Sequence, residues 1–264
     1  MYRALCRQLG AVTILLMAQI CTAQEDSFAL INANIFNGVD NEIIENATVF
    51  VKDGRIERLA GGNAAVAASY TVVDLEGNYL MPGMFDVHTH ISTLDQAKRA
   101  LESGVTTIRT ASVSAYQDVA LREMVSSGAI PGPDVQAAGV FVTPNLGGTV
   151  LADPRLAELA GGVNTDEELR RLVNINVDRG VDVIKTRGTQ RAGLPDTDPR
   201  QQVYTERQLR VVVDEAARHG LPVMVHAHGN EGAKAAVLAG ARSIEHGTYL
   251  TTETLGLMEE RGTW

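Results

Sequence analysis

Beyond Pro82-Gly83 the chain keeps one rhythm to its end: apolar, β-branched runs alternate with segments of helical periodicity. The runs are "MFDVHTH" (84–90), "VTTIRT" (105–110), "DVQAAGVFV" (134–142), "VDVIKT" (181–186), "PVMVHAH" (222–228) and "SIEH" (243–246). Between and after them the pattern predicts helices near 93–103, 115–127, 165–179, 205–219, 230–239 and 252–261. Thr165 with Glu168, and Thr205 with Gln208, have capping-box spacing. Strand–helix alternation of this kind predicts a parallel sheet, because only a crossover helix returns the chain to start a parallel neighbour. The pattern fits a doubly wound sheet or a (β/α) barrel and does not choose between them.

The segment before this one reads differently. Residues 27–80 are short strands and turns, with a hairpin over "ATVFVKDGRIERLA" at Asp53-Gly54 and a second strand pair over "YTVVDLEGNYLMPG" at Glu76-Gly77. A small β domain is expected there. The first residues form a third section: Arg3 and Arg7, the apolar run Ala11 to Ile20, then "CTAQED" with Ala23 as the residue before cleavage. This is the pattern of a secretory signal peptide over 1–23, and it implies export to the periplasm or the medium. The apolar run is short for a membrane span. Cleavage would remove both cysteines, Cys6 and Cys21. It would also lower Lys+Arg from 23 to 21 against 32 Asp+Glu, for a net charge of −11. An acidic chain without a basic patch argues against nucleic acid as a partner.

Chemistry concentrates at strand ends. Of the six histidines, His88, His90, His226, His228 and His246 sit at the C-terminal ends of predicted strands. His219 lies at a helix end, where an imidazole serves the helix carbonyls. Alternation along a strand puts Asp86, His88 and His90 on one face, and His226 with His228 on one face. One His-x-His is a surface pair as readily as a site. Two pairs and His246 at the same end of one sheet point to a shared metal ion, for which neutral imidazole is a good ligand. Lys185 ends its apolar strand at the same height. It reads either as a lysine reaching the sheet rim or as a lysine carboxylated by carbon dioxide, an anion able to bridge two cations.

"MPGMFDVHTH", "VIK", "VMVHAHG" and "SIEHG", in that order, resemble the amidohydrolase superfamily, and "HAHG" and "SIEHGTYL" are most similar to its Xaa-Pro dipeptidases and, more distantly, its imidazolonepropionases. The resemblance implies an α/β fold, a (β/α)8 TIM barrel preceded by a small β-sandwich domain. The expected divisions are 1–23 as signal peptide, 24–81 as β domain and 82–264 as an incomplete barrel of about six β/α units. It implies two divalent metal ions, zinc first among candidates. His88 and His90 would hold the more buried ion, carboxylated Lys185 would bridge, and His226 and His246 would hold the second. His228 would stand at the mouth near the substrate, and Asp86 would give a supporting hydrogen bond. The implied reaction is hydrolysis of a carbon–nitrogen bond in a small molecule or dipeptide, with cyclic amides as the second substrate class. A non-catalytic metal-binding chain is the third reading. The number of subunits is left open, a homo-oligomer included.

Two positions depart from the pattern. The loop after the third strand reads "NLGGTV", with Thr149 where relatives often carry histidine. The aspartate that relatives place at the end of an eighth strand has no counterpart, since the last aspartate is Asp214, before the fifth strand. The stretch from Met84 to Trp264 is shorter than the ~250 residues of a whole barrel, and "RGTW" reads as the opening of a seventh strand. The sequence therefore predicts a chain that is inactive and poorly soluble by itself, with unpaired strand edges.

Overall fold

The computed structural model describes residues 27–62 and 64–264. The expected signal peptide and both cysteines lie outside the described residues. The chain divides at Pro82/Gly83 into two compact units.

The first unit is built on β1 (Phe28–Phe36), β2 (Ile43–Lys52) and β3 (Arg55–Gly61), in the order β3-β2-β1. The β2–β3 hairpin turns at Asp53-Gly54 with φ of 51° and 71°, the double positive φ of the turn that matches strand twist. Ala33, Ile35, Ala47 and Val49 form its small buried core. The second expected strand pair is not a pair. β4 (Thr71–Asp74) and β5 (Tyr79–Leu80) both run parallel to β1 and pair with it. The turn at Glu76-Gly77 bulges out between them, opposite a kink in β1 at Asn32 (φ 54°). The Gly77 amide donates to Asn32 O (2.9 Å) and Asn32 Nδ2 donates to Asp74 Oδ1 (2.8 Å). Backbone groups that would have closed a hairpin are taken by β1, so the described part of this unit is one five-stranded sheet and not the two layers of a sandwich.

The second unit carries six parallel-running strands: β6 (Met84–Thr89), β7 (Val105–Thr110), β8 (Asp134–Gln136), β9 (Ile184–Arg187), β10 (Val223–Gly229) and β11 (Ser243–Tyr249). The helices are α1 (Leu94–Glu102), α2 (Gln117–Ser126), α3 (Asp166–Asp178), α4 (Glu206–Arg218), α5 (Asn230–Ala239) and α6 (Thr252–Arg261). Both capping boxes are present at α3 and α4. Strands pair in two parallel sets, β6-β7-β8 and β9-β10-β11. The third strand is shorter than its apolar run because the backbone of 137–140 bonds to side chains. Asp118 Oδ2 accepts from the Ala138 and Gly139 amides (both 2.9 Å), Asp182 Oδ2 from Ala137 N (2.8 Å), and Asn176 Oδ1 from Val140 N (3.2 Å). The wall resumes where Val142 N donates to Lys185 O at 2.9 Å and Val142 bridges Thr186, so the two sets are joined between β8 and β9. On the opposite side no hydrogen-bonded ladder joins β6 to β11 among the described residues. Phe85 on β6 is 71% exposed. Beside β11 runs Trp264, whose N–H donates to Arg242 O (3.1 Å) and whose C=O accepts from Ile244 N (2.8 Å).

Helices α3 and α4 pack Leu169, Leu172, Val173, Leu209, Val212 and Ala216 onto Ile184, Val223 and Val225 of the sheet, all fully or nearly fully buried. Each buried leucine contributes about 1.5–3 kcal/mol. The start of α5 approaches the loop after β9 so closely that only glycine fits. A Cβ at Gly232 would lie 2.4 Å from Gly188 O and 2.5 Å from Thr189 Cγ2. Gly232→Ala is therefore expected to destabilise the fold by about 1–3 kcal/mol, read as a lower urea midpoint. An unchanged midpoint would show that the loop yields freely.

Candidate metal centre

The C-terminal ends of β6, β9, β10 and β11 open onto one cavity of about 490 Å³. It is lined by His88, His90, Lys185, His226, His228 and His246, together with Phe141, Thr149 and Arg191 among others. Every histidine and the lysine singled out from the sequence thus reach one space, and His219 does not. It caps the C-terminal end of α4, with its Nε2 2.9 Å from Asn174 Oδ1.

The rings pack against one another. His226 and His246 centroids are 4.7 Å apart, His228 and His246 are stacked at 4.5 Å, and His88 reaches His246 across the open side at 4.8 Å. One ring nitrogen from each of His226, His228 and His246 lies within 4.8 Å of the other two. This differs from the reading of His228 as a group at the mouth only, since it stands with the pair assigned to an ion. Its Nδ1 is 2.8 Å from Thr248 Oγ1. His90 places Nδ1 2.7 Å from Ser112 O. A carbonyl only accepts, so that nitrogen carries the proton and Nε2 is left with its lone pair.

Alternation along β11 would send Glu245 and His246 to opposite faces. Ser243 and Glu245 share a face, with Ser243 Oγ donating to Glu245 Oε1 at 2.6 Å. His246 joins that face because its backbone takes φ +79°, a left-handed conformation that costs a non-glycine residue of order 1–3 kcal/mol and concentrates at functional sites.

Glu245 is the residue that sequence reasoning missed. It is 6% exposed. Its Oε2 contacts His88 Nδ1, and its Oε1 accepts from Arg109 Nη2 at 3.0 Å. Arg109 Nε in turn donates to Val87 O (2.9 Å). Asp86, expected to support a histidine, instead accepts from the His88 backbone amide (3.1 Å) and is exposed. The carboxylate behind the histidine comes from across the open side, and the sequence carried no signal for it, because alternation from His246 places Glu245 on the opposite face. Burial pushes the Glu245 carboxyl up, but the hydrogen bond with His88, the Lys185 charge, Ser243 and Arg109 outweigh it and hold it down at about 2.

Lys185 is 1% exposed and its Nζ has no hydrogen-bond partner among the described residues. Burial pulls its pKa down to about 7 against the attraction of Glu245. Burial likewise lowers His226 to about 3 and His246 to about 4. These are neutral imidazoles at neutral pH, the form that ligates metal. Imidazole nitrogens with free lone pairs, a carboxylate fixing one ring from behind, and a buried amine without a partner together fit a divalent ion site.

Comparison with known proteins gives a consistent picture. The chain is 28% identical to the ochratoxinase of Aspergillus niger over 92% of its own length and 59% of the relative's. It superimposes on a crystal structure of a Xaa-Pro dipeptidase with bound methionine in the active site, with a TM-score of 0.80 and 25% identity, covering 90% of this chain and 66% of that one. For a putative prolidase from Bifidobacterium longum the TM-score is 0.74 at 33% identity, covering 89% of this chain and 57% of that one. The chain therefore spans about three fifths of the length of these proteins. The model of the amidohydrolase family matches residues 79–264, from the end of the first unit through every strand that reaches the cavity, and the chain belongs to that family.

Proposed function

We propose that the cavity is the metal centre of a hydrolase that cleaves a carbon–nitrogen bond in small amides or dipeptides. The observation that carries this reading is the convergence of His88, His90, His226, His228 and His246 with the buried, unpartnered Lys185 on one cavity. Resemblance to prolidases and a Xaa-Pro dipeptidase supports a peptide-like substrate. In this reading the parallel wall is six units of a (β/α)8 barrel spanning 82–264, whose active sites form at the C-terminal mouth. The β domain covers 24–81, and 1–23 is cleaved on export.

Two divalent ions, zinc first, would polarise the scissile carbonyl and activate a water. His88 and His90 would hold one ion and His226 and His246 the other, with His228 beside the second. Lys185, if its Nζ added carbon dioxide with loss of one proton, would supply an anionic ligand that both ions could share. Glu245, in contact with His88 Nδ1, would hold that ring in place for an ion. No carboxylate lines the cavity among the described residues, and Glu245 is already committed to His88, Arg109 and Ser243. The chain as it stands is therefore expected to bind ions without turning over substrate.

The test separates the two. Elemental analysis of the purified chain should give about two ions per chain, and assays with Xaa-Pro dipeptides should show no rate above background. Fewer than one ion per chain would sink the metal centre. Measurable hydrolysis would show that a group in this chain takes the proton.

A further inference from the structure

Behind His90 lies a buried carboxylate that the metal centre does not touch. Asp118, in the first turn of α2, is fully buried and does not line the cavity. Its Oδ2 accepts from Thr110 Oγ1 (2.5 Å) and from the Ala138 and Gly139 amides (both 2.9 Å). Its Oδ1 accepts from the Val119 amide (2.9 Å). No cation pairs with it among the described residues. Four donors stand in for a counter-ion, and in return the carboxylate fixes the backbone at Ala138 and Gly139.

Gly139 passes that constraint on. Its φ is +64°, and a Cβ there would lie 2.7 Å from Val181 Cγ1 and 2.9 Å from Tyr116 Cε1, so only glycine fits. Its carbonyl accepts two hydrogen bonds at 2.9 Å, from the Val113 amide and from Ser112 Oγ. In a trans peptide the C=O and N–H point opposite ways. Tying the Val113 N–H to Gly139 O therefore turns Ser112 O away from Gly139, to where it meets His90 Nδ1 at 2.7 Å. Ser112 takes φ +88° to do so. A serine adopts that backbone only where its surroundings impose it, and such positions gather at functional sites. Ser112 also lines the cavity, beside His90.

We propose that Ser112 is a positioning residue for His90, and that the latch holding it is Asp118 acting through Gly139. The latch keeps the His90 proton on Nδ1 and leaves the Nε2 lone pair for an ion. A carboxylate outside the cavity thereby helps to set ion affinity inside it. This use of the latch rests on the metal-centre reading, but the tautomer it fixes is present without metal.

The test reads histidine ring-nitrogen shifts in the metal-free full chain at about pH 8.5, above the usual imidazole range, with zinc affinity measured separately by chelator competition. In the unaltered chain the His90 proton should sit on Nδ1. Ser112→Gly removes the hydroxyl tie and suits the left-handed backbone, so the fold should stand. The carbonyl is then free to swing, the Nε2–H tautomer should appear, and zinc affinity should fall about tenfold. Asp118→Asn should do the same from outside the cavity, because its NH₂ meets groups that only donate. A purely structural role would lower the melting temperature of either variant and leave the tautomer as it was. A mixed tautomer in the unaltered chain, or a Ser112→Gly variant that keeps Nδ1 protonated, would overturn the proposal. An Asp118→Asn variant that folds and keeps it would strike Asp118 from the latch, and Ser112→Gly decides the matter if Asp118→Asn does not fold. If the unaltered chain takes up no zinc, the metal-centre reading fails and the tautomer comparison still decides this one.

Discussion

Lys185→Met is expected to make the metal-free chain more stable while stripping it of metal. An amine that is 1% exposed and has no partner is held in the fold at a cost, because burial disfavours its charged form. Its pKa is about 7 in the fold against 10.5 for the free side chain. Between those values the unfolded chain binds a proton that the folded chain does not, so stability of the unaltered protein rises with pH from about 7 to 10.5. Below pH 7 the cost is present in full. A methionine of similar length carries no such term and should gain about 2–4 kcal/mol at pH 7, or about 5–10 °C in Tm for a chain of this size. Melts in chelator at pH 7 and pH 10 check this, and elemental analysis should show at least one ion lost per chain. A variant no more stable than the parent, or one that keeps both ions, would remove Lys185 from the role given to it here. Stability given up for a site is a common exchange in enzymes.

Glu245→Ala should cost both stability and metal. Removing one member of a buried charged pair leaves the other uncompensated, and Arg109 would stand behind the centre without its carboxylate. The expected loss is about 3 kcal/mol. Ion affinity should fall about 10- to 100-fold, the usual consequence of losing the group that orients a ligating histidine. Glu245→Gln is the more informative variant. It keeps the shape but offers only one oxygen to Arg109, Ser243 and His88, so a carboxamide NH₂ is turned toward one of them. If it faces His88, Nδ1 must accept, Nε2 carries the proton, and the lone pair aimed at the ion is gone. Nitrogen chemical shifts of His88 report that tautomer directly, and competition with a chelator reports affinity. If both variants keep the parent's tautomer and ion affinity, the contact is only a brace between strands.

Much of this was legible in the sequence because it rests on local periodicity. All six helices of the second unit, both capping boxes and the Asp53-Gly54 hairpin follow from spacing and turn chemistry. The convergence of His88, His90, His226 and His228 on one cavity follows from alternation along parallel strands, and that of Lys185 and His246 from their place at the same strand ends. What was not legible depends on contacts distant in the chain. β4 and β5 look like a hairpin until β1 is there to take their hydrogen bonds. The run 134–142 looks like one strand until Asp118, Asp182 and Asn176 capture its amides. Glu245 looks like a residue on the back of the strand because the left-handed φ at His246 breaks the alternation that sequence reading relies on.

The unlatched side between β6 and β11 has a thermodynamic meaning of its own. There the wall is fastened by His88, Glu245 and Arg109 and by ring contact, not by a ladder, while the join between β8 and β9 is made through backbone. His88 and His90 sit at one lip of the gap, His246 sits on the other, and His226 and His228 sit on the strand next to it. An ion that takes nitrogens from both lips can be held only while the gap is shut. Its binding free energy is then also the free energy of closure, and ion affinity and breathing of the wall are one linked equilibrium. Amide hydrogen exchange in β6, measured as the ion concentration is raised, should slow in step with occupancy.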